Sequence, residues 1–177
     1  MASTYLDAIM TEGTHGVGSL NGLKVRTLAR GAVVSTADVD NFTIVELAGF
    51  NDDGEQLCKQ LSDTKNKGYI IATPEQRYLN EDISHFYNAV GDHVRLVLQE
   101  EGYTRFETST YSKNTGLTTI KQGNVAHFDA TTKKYIVSDA TSAHADYATA
   151  GNKYVVVADE DECAGNFNQP TIRLMCQ

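Results

Sequence analysis

A chain of 177 residues with 41% hydrophobic and 21% charged side chains has enough apolar surface for one domain with a proper core. Its formal net charge of −8 argues against a role on nucleic acid, where a positive field must displace counterions. No apolar run is long enough to cross a bilayer as a helix, and the N-terminus lacks a basic-plus-apolar leader, so no membrane attachment is expected.

Residues 1–22 are small, polar and dotted with glycine (Gly13, Gly16, Gly18). Such a segment buries too little apolar surface to order itself, so it reads either as a frayed terminus or as an extended arm that orders on binding a neighbour. Residues 23–177 read as a single β-rich domain. The run from Leu23 to Ser35 gives one or two strands broken near Gly31. Phe42 to Gly49 is another strand, with Phe42, Ile44 and Glu46 alternating against Thr43, Val45 and Leu47. Both of its faces are partly apolar, which fits a strand buried on both sides or lying in a subunit contact. Asn51 to Gly54 is a turn, too short for a helix-loop-helix calcium loop. Gly54 to Asp63 is read as one or two helical turns with Leu57, Cys58 and Leu61 inward.

Residues 67–109 hold the strongest signals. Gly68 to Thr73 is a strand that stops at Pro74, which cannot donate to a sheet ladder. Asn80 then offers a helix cap, Glu81 and Asp82 suit the first turn, and Ile83, Phe86, Tyr87 and Val90 share one helical face. Gly91 stands at the C-terminal cap position. The expectation is one short helix lidding a sheet. His93 to Gln99 is the next strand, with a tight connection at Glu100 to Gly102. Thr104 to Thr110 is expected to return as its hairpin partner.

Ser112 to Gly116 is a polar loop. Val125 to Phe128 and Tyr135 to Val137 form a hairpin around the turn Asp129 to Lys133. Ala140 to Gly151 is a long surface loop, Lys153 to Asp159 a strand, and Asp159 to Asn168 an acidic loop. Thr171 to Cys176 is a terminal strand with Ile172, Leu174 and Cys176 on one face. Gly31, Gly91 and Gly123 each stand just before a strand, as direction-reversing turns of a barrel or sandwich require.

No constellation carries a recognisable chemistry. Cys58, Cys163 and Cys176 are odd in number and widely spaced, so they read as free thiols of a protein folded in a reducing compartment. None of the five histidines pairs with another at the short spacings of metal ligands. His127 and Asp129 share a strand face at i, i+2, which can orient an imidazole, but such a turn-adjacent pair is far more often plain surface. The acidic run Asp159 to Glu162 lacks the alternation and glycine pivot of a calcium loop and reads as solvated. There is no nucleophile elbow and no phosphate loop. Tyr69, Tyr78, Phe86, Tyr87, Tyr103 and Phe106 gather in the central stretch, either as core or as a contact surface for sugar or protein.

The runs Gly68 to Glu75, His85 to Val97 and Gly102 to Ser109 resemble a group of small structural proteins of tailed bacteriophages. They match it in the order of a Gly-Tyr-hydrophobic-Ala-Thr-Pro-Glu segment, a Phe-Tyr-Asn segment ending in glycine before an Arg-containing strand, and a glycine turn into a Phe-containing strand. Gln122 to Val137 is similar to the hairpins of phage head decoration proteins. Where that pattern has a Gly-Asp turn, this chain has Gly102-Tyr103. The resemblance covers about the middle two thirds of the chain and consists of packing and turn residues.

It implies a capsid decoration, or cement, protein. The elements read above predict its fold as a mainly β sandwich or barrel-like domain with one short helix and an N-terminal extended arm. Such a protein is made in the bacterial host cytoplasm and held on the outer face of the virion by non-covalent contacts with the major capsid protein and by self-association on the lattice. The resemblance implies no enzymatic activity, no catalytic, cofactor-binding or metal-binding residues and no cofactor. The alternative reading is a virion-surface module that recognises host or environmental glycans through exposed tyrosines. A small hydrolase using His127 and Asp129 is a third.

Overall fold

The computed structural model describes residues 16–20, 25–75, 86–160, 163 and 169–177. In chain order its strands are β1 (Gly18–Leu20), β2 (Ala32–Val34), β3 (Ile44–Phe50), β4 (Gln56–Gln60), β5 (Tyr69–Ile71), β6 (His93–Val94), β7 (Leu96–Val97), β8 (Arg105–Thr108), β9 (Tyr111–Lys113), β10 (Val125–Asp129), β11 (Lys134–Ser138), β12 (Lys153–Ala158) and β13 (Ile172–Cys176). They form a seven-stranded sheet in the order β1-β8-β13-β12-β10-β11-β9 and a six-stranded sheet in the order β6-β2-β4-β3-β5-β7. The chain is mainly β, as its alternating apolar pattern predicts. No helix among the described residues is long and apolar enough to cross a membrane.

The six-stranded sheet closes on itself. β6 pairs with β2 at one edge and β7 with β5 at the other, yet the two are a single extended segment interrupted at Arg95. Arg95 bonds Ala72 through both backbone and side chain: the Ala72 N–H donates to the Arg95 carbonyl at 2.9 Å, and Arg95 Nε donates to the Ala72 carbonyl at 2.7 Å. The segment thus leaves one partner and joins the other, making a small barrel without free edges there.

Period-two alternation then sorts the side chains. Val34, Val45, Cys58, Ile71, Val94 and Leu96 fill the barrel. Their neighbours Ile44, Ile70 and Val97 face outward into a second, larger core shared with the seven-stranded sheet. That sheet contributes Phe106, Phe128, Tyr135, Tyr154, Ile172 and Leu174 to the shared core. Its four aromatic rings pack edge to face or tilted, with centroids 5.1–5.6 Å apart. The strand from Phe42 is therefore buried on both sides only over its first half, at Phe42 to Val45; Glu46 and Leu47 are half-buried and Ala48 to Phe50 are exposed.

A polar seam ties the barrel to the sheet. Asn152 Oδ1 accepts from the Gly68 N–H at 3.0 Å and from Gln99 Nε2 at 2.9 Å, and Asn152 Nδ2 donates to the Asn66 carbonyl at 2.7 Å. The Tyr154 hydroxyl completes the seam on Gln99 Oε1. Backbones approach so closely here that a Cβ on Gly151 would lie 2.3 Å from the Asn66 carbonyl oxygen.

Several expectations need correction. The proposed helix beginning at Asn80 lies partly outside the described residues, but Phe86 to Gly91 is not helical. Tertiary partners claim its backbone: Asn88 and Val39 exchange N–H to carbonyl bonds at 2.9 Å both ways, and the Val90 N–H donates to Asp38 at 3.0 Å. Phe86 is buried while Val90 is exposed, so the supposed apolar face divides. The helical turns read over residues 54–63 are strand β4, which pairs with β2 and β3 and sends Cys58 into the barrel. The hairpin expected between residues 93–99 and 104–110 does not form. β7 belongs to the barrel and β8 to the other sheet, between β1 and β13. The Thr104 hydroxyl, bonded at 3.0 Å to both the Glu100 N–H and the Leu98 carbonyl, fixes the turn that carries the chain across. The polar loop after Tyr111 begins two residues later than its composition indicates, because Tyr111–Lys113 is β9, parallel to β11.

The hairpin of β10 and β11, strands β12 and β13, and the three glycine turns stand as read; Gly31, Gly91 and Gly123 have φ of 66°, 93° and 89°. Within residues 1–22, Gly18–Leu20 is β1, paired with β8, and the Gly16 N–H donates to both Asp40 carboxylate oxygens at 2.7 and 2.8 Å. Residues 1–15 lie outside the described residues.

Candidate functional site

The seven-stranded sheet buries one face in the shared core and turns Val125, His127 and Asp129 of β10 the other way. His127 is nonetheless fully buried. The cover is the loop from Asp139 to Gly151, the long polar segment of the sequence, folded back over this outer face. Its anchors are specific. Thr141 closes on Asp139 through its N–H (2.8 Å) and hydroxyl (2.6 Å), and the His144 N–H donates to Ser138 Oγ at 3.1 Å. A short 3-10 turn, Ala145–Ala148, follows, capped by His144 Nδ1 accepting from the Asp146 N–H at 3.3 Å. The Tyr147 hydroxyl donates to Gln177 Oε1 at 2.7 Å, while Lys153 Nζ lies 5.4 Å from the Tyr147 ring and donates to the Ala148 carbonyl at 2.8 Å.

This fold-back stacks the His144 ring on His127, with centroids 5.2 Å apart and 29° between planes, and sets the Tyr147 ring edge-on at 6.3 Å. A donor atom from each of His127, His144 and Asp146 lies within 4.8 Å of the others. Neither ring nitrogen of His127 has a hydrogen-bond partner among the described residues. Burial, followed by the charge of His144, pushes its imidazole below the ordinary histidine value, against the pull of Asp129 and Asp146.

Sequence adjacency misplaced the partner of His127. Asp129 shares its strand face, but its carboxylate is engaged elsewhere, by the Thr64 hydroxyl at 3.2 Å and by the Thr132 N–H and hydroxyl at 2.8 and 2.7 Å. Burial would raise the Asp129 pKa, but these bonds outweigh it and hold the carboxyl below its usual value. His144 and Asp146 are the true neighbours. The one signal for them in the sequence was the short His-Ala-Asp spacing, and nothing local linked that motif to a histidine seventeen residues earlier.

The other candidates divide. Glu160, in the acidic run, accepts from the Tyr111 hydroxyl and lies 3.5 Å from Lys113 Nζ, so this carboxylate is engaged by side chains of β9; Asp161 and Glu162 lie outside the described residues. His93 Nε2 lies 2.8 Å from Glu55 Oε1 at the exposed barrel end. His15 and His85 lie outside the described residues, as does Tyr78. Of the central aromatics, Phe106 is core and Phe86 is buried, while Tyr87 and Tyr103 are 48% and 52% exposed. All three cysteines are free and buried; burial pushes the Cys58 thiol up to about 11 and the Cys176 thiol to about 12, which disfavours the thiolate.

Residues 11–177 match a family model described as YonC prophage protein. The chain is 49% identical over 174 residues to the SPbeta prophage-derived protein YonC of Bacillus subtilis (strain 168), covering 98% of this chain and 97% of that protein. No solved structure matches. The chain belongs to the YonC prophage protein family.

Proposed function

From that membership we propose that the protein is a virion structural protein that decorates and stabilises the outer surface of the capsid through non-covalent contacts with the major capsid protein. The observation that carries this reading is the prophage origin of the family, joined to the phage structural resemblance of the central runs. Two features agree with it. A barrel welded to a second sheet by a shared core is a rigid unit suited to clamping a seam between subunits. Phe50 (70% exposed), Tyr87 and Tyr103 offer apolar and aromatic anchors on a surface of net charge −8. Repeated attachment on a lattice makes individually weak contacts cumulatively strong, and each copy adds buried area that must be lost before the shell opens. On this reading the protein is not an enzyme, resides on the virion and associates with its own copies on the lattice.

The test is sedimentation of the purified protein with mature capsids of the matching phage, using the full chain and a chain starting at Gly16. That start point keeps β1 and the Gly16 bond to Asp40. Saturable binding at a fixed number of copies per capsid is expected, and its loss in the shortened chain assigns the contact to residues 1–15. Absence of binding to capsids overturns the proposal. Exposed Tyr87 and Tyr103 favour glycan recognition as the second reading. Retention on polysaccharide, lost on Tyr87→Ala and Tyr103→Ala, is its signature.

A further inference from the structure

We propose that His127, His144 and Asp146 form a binding site for a divalent first-row transition ion of the zinc type, which pins the loop from Asp139 to Gly151 onto the outer face of the seven-stranded sheet. Two independent observations meet at this place. One is the donor set: one nitrogen from each of two imidazoles and one carboxylate oxygen, drawn from a strand and a loop seventeen to nineteen positions apart, with all donors inside 4.8 Å. The other is the state of His127, which is fully buried and has both ring nitrogens without a hydrogen-bond partner among the described residues. A buried polar group left unpaired forfeits its hydration without compensation, so such a group is retained against a penalty. An ion bonded to one of these nitrogens removes part of that cost.

The chemistry selects the ion. Imidazole nitrogen suits zinc, copper, nickel and cobalt, whereas calcium and magnesium take oxygen shells. Two imidazoles and one carboxylate fill three positions of a tetrahedron and leave the fourth for water. Donors at the outer limit of 4.8 Å would stand about 2.8 Å from a central ion, so bonds of about 2.0–2.2 Å require each to draw in by roughly 0.7 Å. The framework can supply this. His127 is fixed in the middle of β10, while His144 and Asp146 sit on a partly exposed surface turn whose backbone is held at both ends. Rotation of two surface side chains then closes the site without moving the sheet.

Lys153, the cross-strand neighbour of His127, carries a positive charge that would oppose a bound cation. Its ammonium is directed to the Ala148 carbonyl and the Tyr147 ring.

The experiment uses the full chain stripped with a chelator and titrated calorimetrically with Zn2+, with Co2+ as a visible-absorption probe. Expected are one ion per chain, an intense tetrahedral Co2+ spectrum lacking thiolate bands, and a rise in Tm with Zn2+ that the chelator reverses. His144→Ala and Asp146→Ala alter partly exposed side chains and are expected to keep the metal-free fold. Each should weaken binding by at least about 100-fold, since even second-sphere partners of metal ligands contribute 10–100-fold. His93→Ala, at the distant His93–Glu55 pair, should bind as the parent does. No saturable Zn2+ binding by the parent chain overturns the proposal. So does binding that survives both loop substitutions or is lost in His93→Ala.

Discussion

The barrel and the seven-stranded sheet use the same alternation to different ends. In the barrel, consecutive residues such as Ile44 and Val45, Ile70 and Ile71, or Leu96 and Val97 are all buried, because one serves the barrel interior and the next the shared core. In the sheet, only every second residue enters the core. The opposite face carries paired polar groups such as Glu107 and Arg173, whose Nε and Nη2 both donate to one carboxylate oxygen at 3.0 and 2.6 Å. A strand held between two apolar cores has no position left for chemistry. β10 has only one face in a core; its other face is covered by the polar loop from Asp139 to Gly151, and His127 lies buried beneath that loop.

Substitutions can break this contrast. Ile44→Ala in the barrel removes a fully buried side chain and should cost about 2–5 kcal/mol in denaturant unfolding, whereas Val155→Thr on the outer face of β12 should stay within about 0.5 kcal/mol. Equal effects would show that the outer face is packed in solution as tightly as the core. Asn152→Ala tests the seam between the regions. It leaves the Gly68 N–H without its acceptor and should cost about 1–3 kcal/mol. If barrel and sheet respond as one unit, the unfolding transition stays single; a split transition would show that the seam, not the shared core, couples them.

The smallest effect expected is on pH dependence. Burial alone would raise the Glu46 pKa, but bonds from Ser62 (2.7 Å) and Asn66 (3.0 Å) and the Lys59 ammonium at 3.2 Å hold it below its ordinary 4.5. Between the lowered folded value and 4.5 the unfolded chain binds the extra proton. The carboxylate's contribution is therefore present above pH 4.5 and is lost as pH falls through the folded value. Glu46→Gln should flatten that part of the acid-stability curve and leave the curve above pH 6 parallel to the parent's. An unchanged acid limb would remove Glu46 from the account.

Much of the β architecture was legible from local pattern. The β10–β11 hairpin, the alternation of β12 and β13 and the glycine turns follow from side-chain period and from φ values that favour glycine. Pattern misled at Phe86 to Gly91 and at Gln56 to Gln60, where helical spacing of apolar residues was coincidental and distant strands supplied the backbone partners. The candidate site was half legible: His127 stood out, its partners did not.

The sequence by itself determined that this chain builds β-sheets and where it turns, because these depend on residues within a few positions. Tertiary structure alone decided that the segment from His93 to Val97 closes a barrel, that Thr104 sends the chain to a second sheet, and that a polar loop carries His144 and Asp146 onto a buried His127. Those outcomes depend on which distant backbone donors and acceptors find each other when two cores form together, and no local period in the sequence encodes that choice.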